Sequence, residues 1–208
     1  MPTLTDILET QRILGNLLYS HWLSEELFSF SWFSIVIPII IFSAMFVILV
    51  DKSRLRELIL YGSLLAIAYS FIYPIATTMI LWQFQINLIP YIQNLVPFAF
   101  IFHPILHIIA YQYASSWKSF AITNTIAAGL FAFVALPIYV WLKVFQAYNW
   151  NYLYSFILAW GISFIARAVV IWLANIEQRH SEQPSRASLS PTLQPAMKLL
   201  NQDDENEQ

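Results

Sequence analysis

The chain has 208 residues, of which 59% are apolar and 11% charged, against about 25% charged in an ordinary soluble domain. A soluble fold of this size has too little polar surface to cover so much apolar side chain, a demand that lipid removes. With a net charge of -2 and no basic patch interleaved with aromatics, no nucleic-acid partner is expected; zero cysteines exclude disulfides, thiolate metal sites and a cysteine nucleophile.

Residues 1–31 do not read as a cleavable secretion signal, which starts basic and turns apolar early. They carry Asp6, Glu9, Glu25 and Glu26 against a lone Arg12, and the first long apolar run starts at Trp32. Leu4, Leu8, Leu14, Leu18 and Trp22 share roughly one helical face, with Asp6, Glu9, Arg12 and Asn16 mostly elsewhere. That pattern predicts an amphipathic helix lying on the outer membrane surface; a cap packed over the bundle is the competing reading.

Crossing the hydrocarbon takes about 20 apolar residues in a helix. Five stretches qualify: 32–50, 58–82, 95–113, 119–142 and 152–174. Unbroken apolar runs argue against a membrane barrel, whose strands alternate. Trp32, Trp82, Trp117, Trp150 and Trp172 fall near the boundaries, where indole favours the headgroup level. Residues 176–208 are rich in Ser, Pro and Gln and end in an acidic run. They bury too little apolar area to offset ordering entropy, which predicts a disordered tail. No internal repeat is evident.

Basic residues set the orientation. Lys52, Arg54 and Arg56 in the first connection, Lys118 in the third, and Arg179, Arg186 and Lys198 after the last span make seven; Arg12 and Lys143 make two on the other side. The expected fold is an all-α integral membrane protein, a five-transmembrane-helix bundle with its N-terminus outside and C-terminus inside. Its main partner is the lipid bilayer, with self-association or assembly with other membrane proteins as a further expectation.

Within the spans, Ala121, Thr125, Ala128, Ala132 and Ala135 form a stripe of small residues at steps of four and three. Gly62, Ala66, Ser70 and Thr77 do much the same, as do Ser155, Ala159, Ser163 and Ala166. Such stripes let helix backbones approach closely where lipid supplies no hydrophobic drive. A narrow solute path is the alternative.

His103 and His107 are four apart and share a helix face. A closed metal site needs further ligands, and no carboxylate lies inside another span, so no metal and no cofactor is expected. Structural hydrogen bonding is the first reading, a protonation role the second. Arg167 is the one unambiguous charge inside a span. Snorkelling to the cytoplasmic end, or pairing with Asp51 or Glu57, is expected; holding an anionic headgroup or solute is the alternative. Asn124 and Gln112 suit interhelical hydrogen bonds.

Several pieces together resemble a family of uncharacterised multi-pass membrane proteins from Gram-positive, often spore-forming, bacteria. They are Leu49-Val50-Asp51-Lys52 with Arg54-Leu55, Trp82, Pro104, Tyr111-Gln112-Tyr113, Trp117-Lys118-Ser119-Phe120, Pro137 with Trp141, and Asn149-Trp150-Asn151-Tyr152-Leu153-Tyr154-Ser155-Phe156. The resemblance runs from about residue 22 to 175 and implies a helical protein of the bacterial plasma membrane, without assigning catalytic residues. Relatives often carry acidic residues near the positions held here by Ala99 and Leu136, so any chemistry those acids perform is lost in this chain.

With no phosphate-cradling glycine loop, nucleophile elbow or paired-carboxylate motif, no catalysis is expected. A non-catalytic structural or interaction protein of the membrane is the leading expectation. A small-solute or proton transporter or channel using Arg167, His103 and His107 is the alternative, and an enzyme acting on lipid ranks last.

Overall fold

The computed structural model describes residues 2–92 and 96–181. Residues Met1–Val170 form one compact unit, and it is mostly helical.

Helix α1 (Leu4–His21) starts at a capping box: Thr3 accepts from the Asp6 N–H, and the Asp6 carboxylate accepts from the Thr3 N–H. The two bonds satisfy two orphan donors of the first turn. None of its residues is buried, and near its end Tyr19 stacks on Tyr91, with ring centroids 6.3 Å apart. A π-helical turn, Trp22–Glu26, ends it.

Ser29 caps α2 (Phe30–Leu49), whose only buried residue is Ile35. A 3-10 turn (Lys52–Arg54), capped by Asp51, leads into α3 (Leu55–Thr78). Next come strand β1 (Trp82–Phe84), a π-helical stretch (Val96–Phe102) and α4 (His103–Gln112). Helices α5 (Trp117–Leu130) and α6 (Leu136–Trp141) are joined by a π-helical turn, Phe131–Ala135. Strand β2 (Phe145–Ala147) precedes α7 (Tyr152–Ser181).

Four of these helical stretches are long and apolar enough to cross a membrane: Phe30–Leu49, Lys52–Thr78, Trp117–Trp141 and Tyr152–Arg179. The third expected span, 95–113, is instead a shorter apolar helix, Val96–Gln112, packed among its neighbours. It contacts α2, α3 and α5, and Phe98, Ala99, Phe102, His103, His107, Ile108 and Tyr111 are all buried. A helix wrapped by others does not need a full lipid-facing length.

Three sequence expectations are corrected. The second span stops at Thr78, not residue 82, because Ile80 turns left-handed (φ 54°) and Trp82 enters a strand. The last helix runs to Ser181 rather than ending at 174; 176–181 therefore belong to it, and the rest of the expected tail lies outside the described residues. The third correction concerns the repeat.

A repeat is present. Helices α2 and α3 end at Leu49 and Thr78, while α4 and α6 end at Gln112 and Trp141, each 63 positions later (112 minus 49, 141 minus 78). The left-handed residues Ile80 and Lys143 keep that interval, as do β1 and β2. Their caps match bond for bond. Ile80 N–H donates to the Thr77 carbonyl and Lys143 N–H to that of Val140, both at 3.1 Å. Leu81 N–H donates to Ala76 and Val144 N–H to Tyr139, both at 2.9 Å. These are the carbonyls a helix end leaves unpaired.

The strands then pair antiparallel, Trp82 opposite Ala147, Gln83 opposite Gln146 and Phe84 opposite Phe145. Gln85 N–H reaches the Val144 carbonyl at 2.9 Å, and Tyr148 N–H reaches the Leu81 carbonyl at 3.0 Å. The arrangement is a local two-fold passing through the Gln83–Gln146 pair. Both repeats read Pro-Ile before the cap and carry a glutamine at mid-strand: Pro74-Ile75 with Gln83, and Pro137-Ile138 with Gln146.

Beneath this strand pair lies an aromatic core. Phe98 meets Phe84 at 4.9 Å, Tyr139 at 5.1 Å and Phe102 at 5.2 Å between ring centroids. Lower down, Gly62 lets α3 approach α4 so closely that a Cβ there would lie 2.6 Å from Ile108 Cδ1.

Candidate functional site

Below the aromatic core the interior turns polar. Helix α3 presents Tyr61, Tyr69 and Tyr73 on its buried face, and α4 presents His103 and His107. The His103 Nε2 lies 3.1 Å from the Tyr73 hydroxyl. Its ring stacks on Tyr69, with centroids 3.9 Å apart, and Phe131 covers it at the same distance. The His107 ring runs parallel to that of His103, 6.2 Å away.

The protonation of His107 follows from its partners. Asn124 Nδ2 donates to the Trp160 carbonyl at 3.2 Å, which orients the amide and leaves Oδ1 facing His107 Nδ1 at 2.9 Å. The Nδ1 atom therefore carries the proton and donates, with Ser163 Oγ as a second neighbour at 2.9 Å. The lone pair lies on Nε2. That atom, His103 Nδ1 and the Tyr69 hydroxyl are buried with no hydrogen-bonding partner among the described residues. Each such group costs about 1–3 kcal/mol. A cavity of about 20 Å³ lined by Tyr69, Tyr73, Trp82, His103, Leu136 and Ser155 opens beside His103 and Tyr69, large enough for one water.

Of the residues picked from sequence, His103, His107 and Asn124 come together. Arg167 lies one helical turn beyond Ser163 on the same buried face of α7, among a different set of side chains. Its guanidinium carbon is 4.5 Å from the ring centre of Phe120, 4.9 Å from Trp117 and 5.4 Å from Tyr111. The residue is 6% exposed, so it does not snorkel, and it pairs with neither Asp51 nor Glu57. Glu57 is already held by a fork from Arg54 (2.9 and 3.0 Å) and by the Tyr111 hydroxyl. Asp51 accepts from the hydroxyl and the N–H of Ser53, which hold it below the usual carboxylate range.

Gln112 is separate from the histidines. Its amide donates to the Leu49 carbonyl at 3.0 Å and accepts from the Asp51 N–H at 3.1 Å, clamping the first connection to the end of α4. The packing stripe is shifted from the expected line. Ala128 and Ala132 are fully buried, but Thr125 is exposed and takes a hydrogen bond from the Trp160 indole. The buried face of α5 runs through Phe120, Asn124, Ala127 and Ala128, and the π-helical turn adds Phe131 and Ala132.

Sequence reading missed Tyr69 and Tyr73; it placed Ser163 only in a packing stripe and Glu57 only as a partner for Arg167. The signal for the tyrosines was there: Tyr61, Tyr69 and Tyr73 fall on one face of α3, next to Gly62 and Ala66. Glu26, near the opposite end, is also buried, accepting from the backbone N–H and side-chain amide of Asn87; Trp22 donates to the Asn87 carbonyl at 3.0 Å. Among the described residues, no three His, Cys, Asp or Glu side chains gather as metal ligands.

The sequence matches no known family model, no curated protein and no solved structure.

Proposed function

We propose that the chain is a five-span integral membrane protein that passes protons through the file Tyr73–His103–His107–Ser163. One observation carries this reading: both imidazoles are buried among tyrosines and aromatic rings, and each keeps a ring nitrogen open. Imidazole accepts a proton at one nitrogen and releases one from the other. Ionisable groups inside a span are costly and mark relays by default. The repeat supports the same reading, since transport sites lie at the interface of such repeats, and the histidines of α4 lie between α3 of the first repeat and α5 of the second.

Five crossings are supported by the ends of α4. Gln112 is tied to the first connection, while the second and fourth connections pair through β1 and β2. Lys52, Arg54, Arg56 and Lys118 in the first and third connections support a cytoplasmic placement of that end, in the plasma membrane of a Gram-positive bacterium. The test is purified protein in liposomes holding a pH-sensitive dye, under an imposed membrane potential. The expected result is proton flux that His103→Leu and His107→Leu reduce to the level of protein-free vesicles. Wild-type vesicles no leakier than empty ones would refute it.

The second reading is a non-catalytic membrane scaffold that works by assembly. The tight α3–α4 contact at Gly62 and the apolar linings of the wider cavities, 200 and 280 Å³, favour it over passage of a bulky solute.

A further inference from the structure

We infer that the aromatic box around Arg167 is a binding site for a phosphate group at the cytoplasmic end of the bundle. The inference rests on the membrane reading but not on proton movement. Arg167 is 94% buried by difference from its 6% exposure, and its Nε and Nη1 have no acceptor among the described residues. Three ring faces surround the guanidinium, and ring faces offer no lone pair in the plane of its N–H groups. The nearest carboxylate, Glu57, is occupied by Arg54 and Tyr111. The local charge therefore stays positive, in the setting where an uncompensated charge is most expensive.

Phosphate oxygens match the planar guanidinium fork. The surroundings favour an anion from the membrane surface: Arg54 lies 5.8 Å from the same Tyr111 ring, and Lys118 follows Trp117 at the start of α5. Basic pockets between spans on the cytoplasmic side hold lipid headgroups. Trp117 covers the guanidinium and is itself 47% exposed, so rotation of one side chain uncovers the donors. The phosphate comes from an anionic lipid or from free phosphate.

The test is thermal unfolding of the full chain in nanodiscs. One set contains phosphatidylcholine alone, another adds phosphatidylglycerol, and a third is phosphatidylcholine titrated with inorganic phosphate. We expect phosphatidylglycerol to raise the midpoint by roughly 5 °C. Arg167→Met should abolish that increment, and Lys52→Gln with Lys118→Gln should keep most of it. An equal increment from inorganic phosphate assigns the site to the soluble anion. No increment from either source, or an undiminished one in Arg167→Met, overturns the inference. Should Arg167→Met fail to fold, Trp117→Ala replaces it: removing the cover should increase the phosphatidylglycerol that co-purifies, read in native mass spectra, and an unchanged amount overturns the proposal. His107→Leu should lose proton flux yet keep the phosphatidylglycerol increment, which separates failure of one reading from failure of the other.

Discussion

Ser163 Oγ lies 2.9 Å from His107 Nδ1, so α7 meets the buried histidine through one hydroxyl, a helical turn from Arg167. Asn124 Oδ1 lies at the same distance from the same nitrogen. One N–H thus has two acceptors, and this sharing sets how the site responds to mutation.

Removing one acceptor leaves the other. Ser163→Ala and Asn124→Leu should each cost about 1 kcal/mol, and the double variant about 3 kcal/mol, because only then is the N–H stranded. Thermal unfolding of the four proteins in detergent measures the coupling. Strict additivity would remove the shared bond from the account.

Packing on α5 is uneven and should read out as such. Ala128 is fully buried, so Ala128→Leu should cost about 1–3 kcal/mol through overpacking. Ala121 is only partly buried, and Ala121→Leu should change stability by less than about 0.5 kcal/mol. Equal losses at both sites would restore the unshifted stripe.

The two caps carry different side chains on the same backbone. Ile80 is β-branched at φ 54°, and Lys143 is unbranched at φ 57°. Left-handed backbone costs an L-residue roughly 1–2 kcal/mol, most at a branched one. Ile80→Gly should therefore raise stability by about 1 kcal/mol, and Lys143→Gly by less. The comparison needs only the two melting midpoints.

Acid should loosen α1 before the bundle. Hydrogen bonds from the Thr3 N–H and hydroxyl hold the Asp6 carboxyl below its ordinary value of 3.8. A depressed carboxylate stabilises the helix above the unfolded value, and that contribution disappears as pH falls through the folded one. Amide exchange across residues 4–10 should rise in that acid range in wild type. In Asp6→Asn it should already be raised near neutral pH and show no such step.

Much of the architecture could be read from the sequence because apolar length alone selects membrane-crossing helices, and α2, α3, α5–α6 and α7 start within about three residues of their expected positions. The misses have physical causes. Trp82 reads as the end of a span because hydropathy does not distinguish a buried strand from a helix, and the left-handed turn at Ile80 has no sequence mark when the residue is not glycine. The repeat has little sequence mark because, between Leu49 and Phe84, only Ser53, Ile59, Pro74-Ile75 and Gln83 recur 63 residues on; beyond them the match lies in the backbone of the helix ends, caps and strands. Asn124 and His107 were legible as intramembrane polar groups. Their meeting with Ser163 depends on which face of α7 turns inward, a tertiary fact.

The pairing of β1 with β2 also governs the order of assembly. A ribosome adding about 5–20 residues per second leaves β1 without its partner for roughly 3–13 s, since 63 residues separate the two strands (145 minus 82). Throughout that interval the first helical hairpin waits in the bilayer with an open strand edge. The closing stitch therefore comes late in biosynthesis, and a chain stalled before Phe145 would present that edge to whatever quality-control protease patrols the membrane.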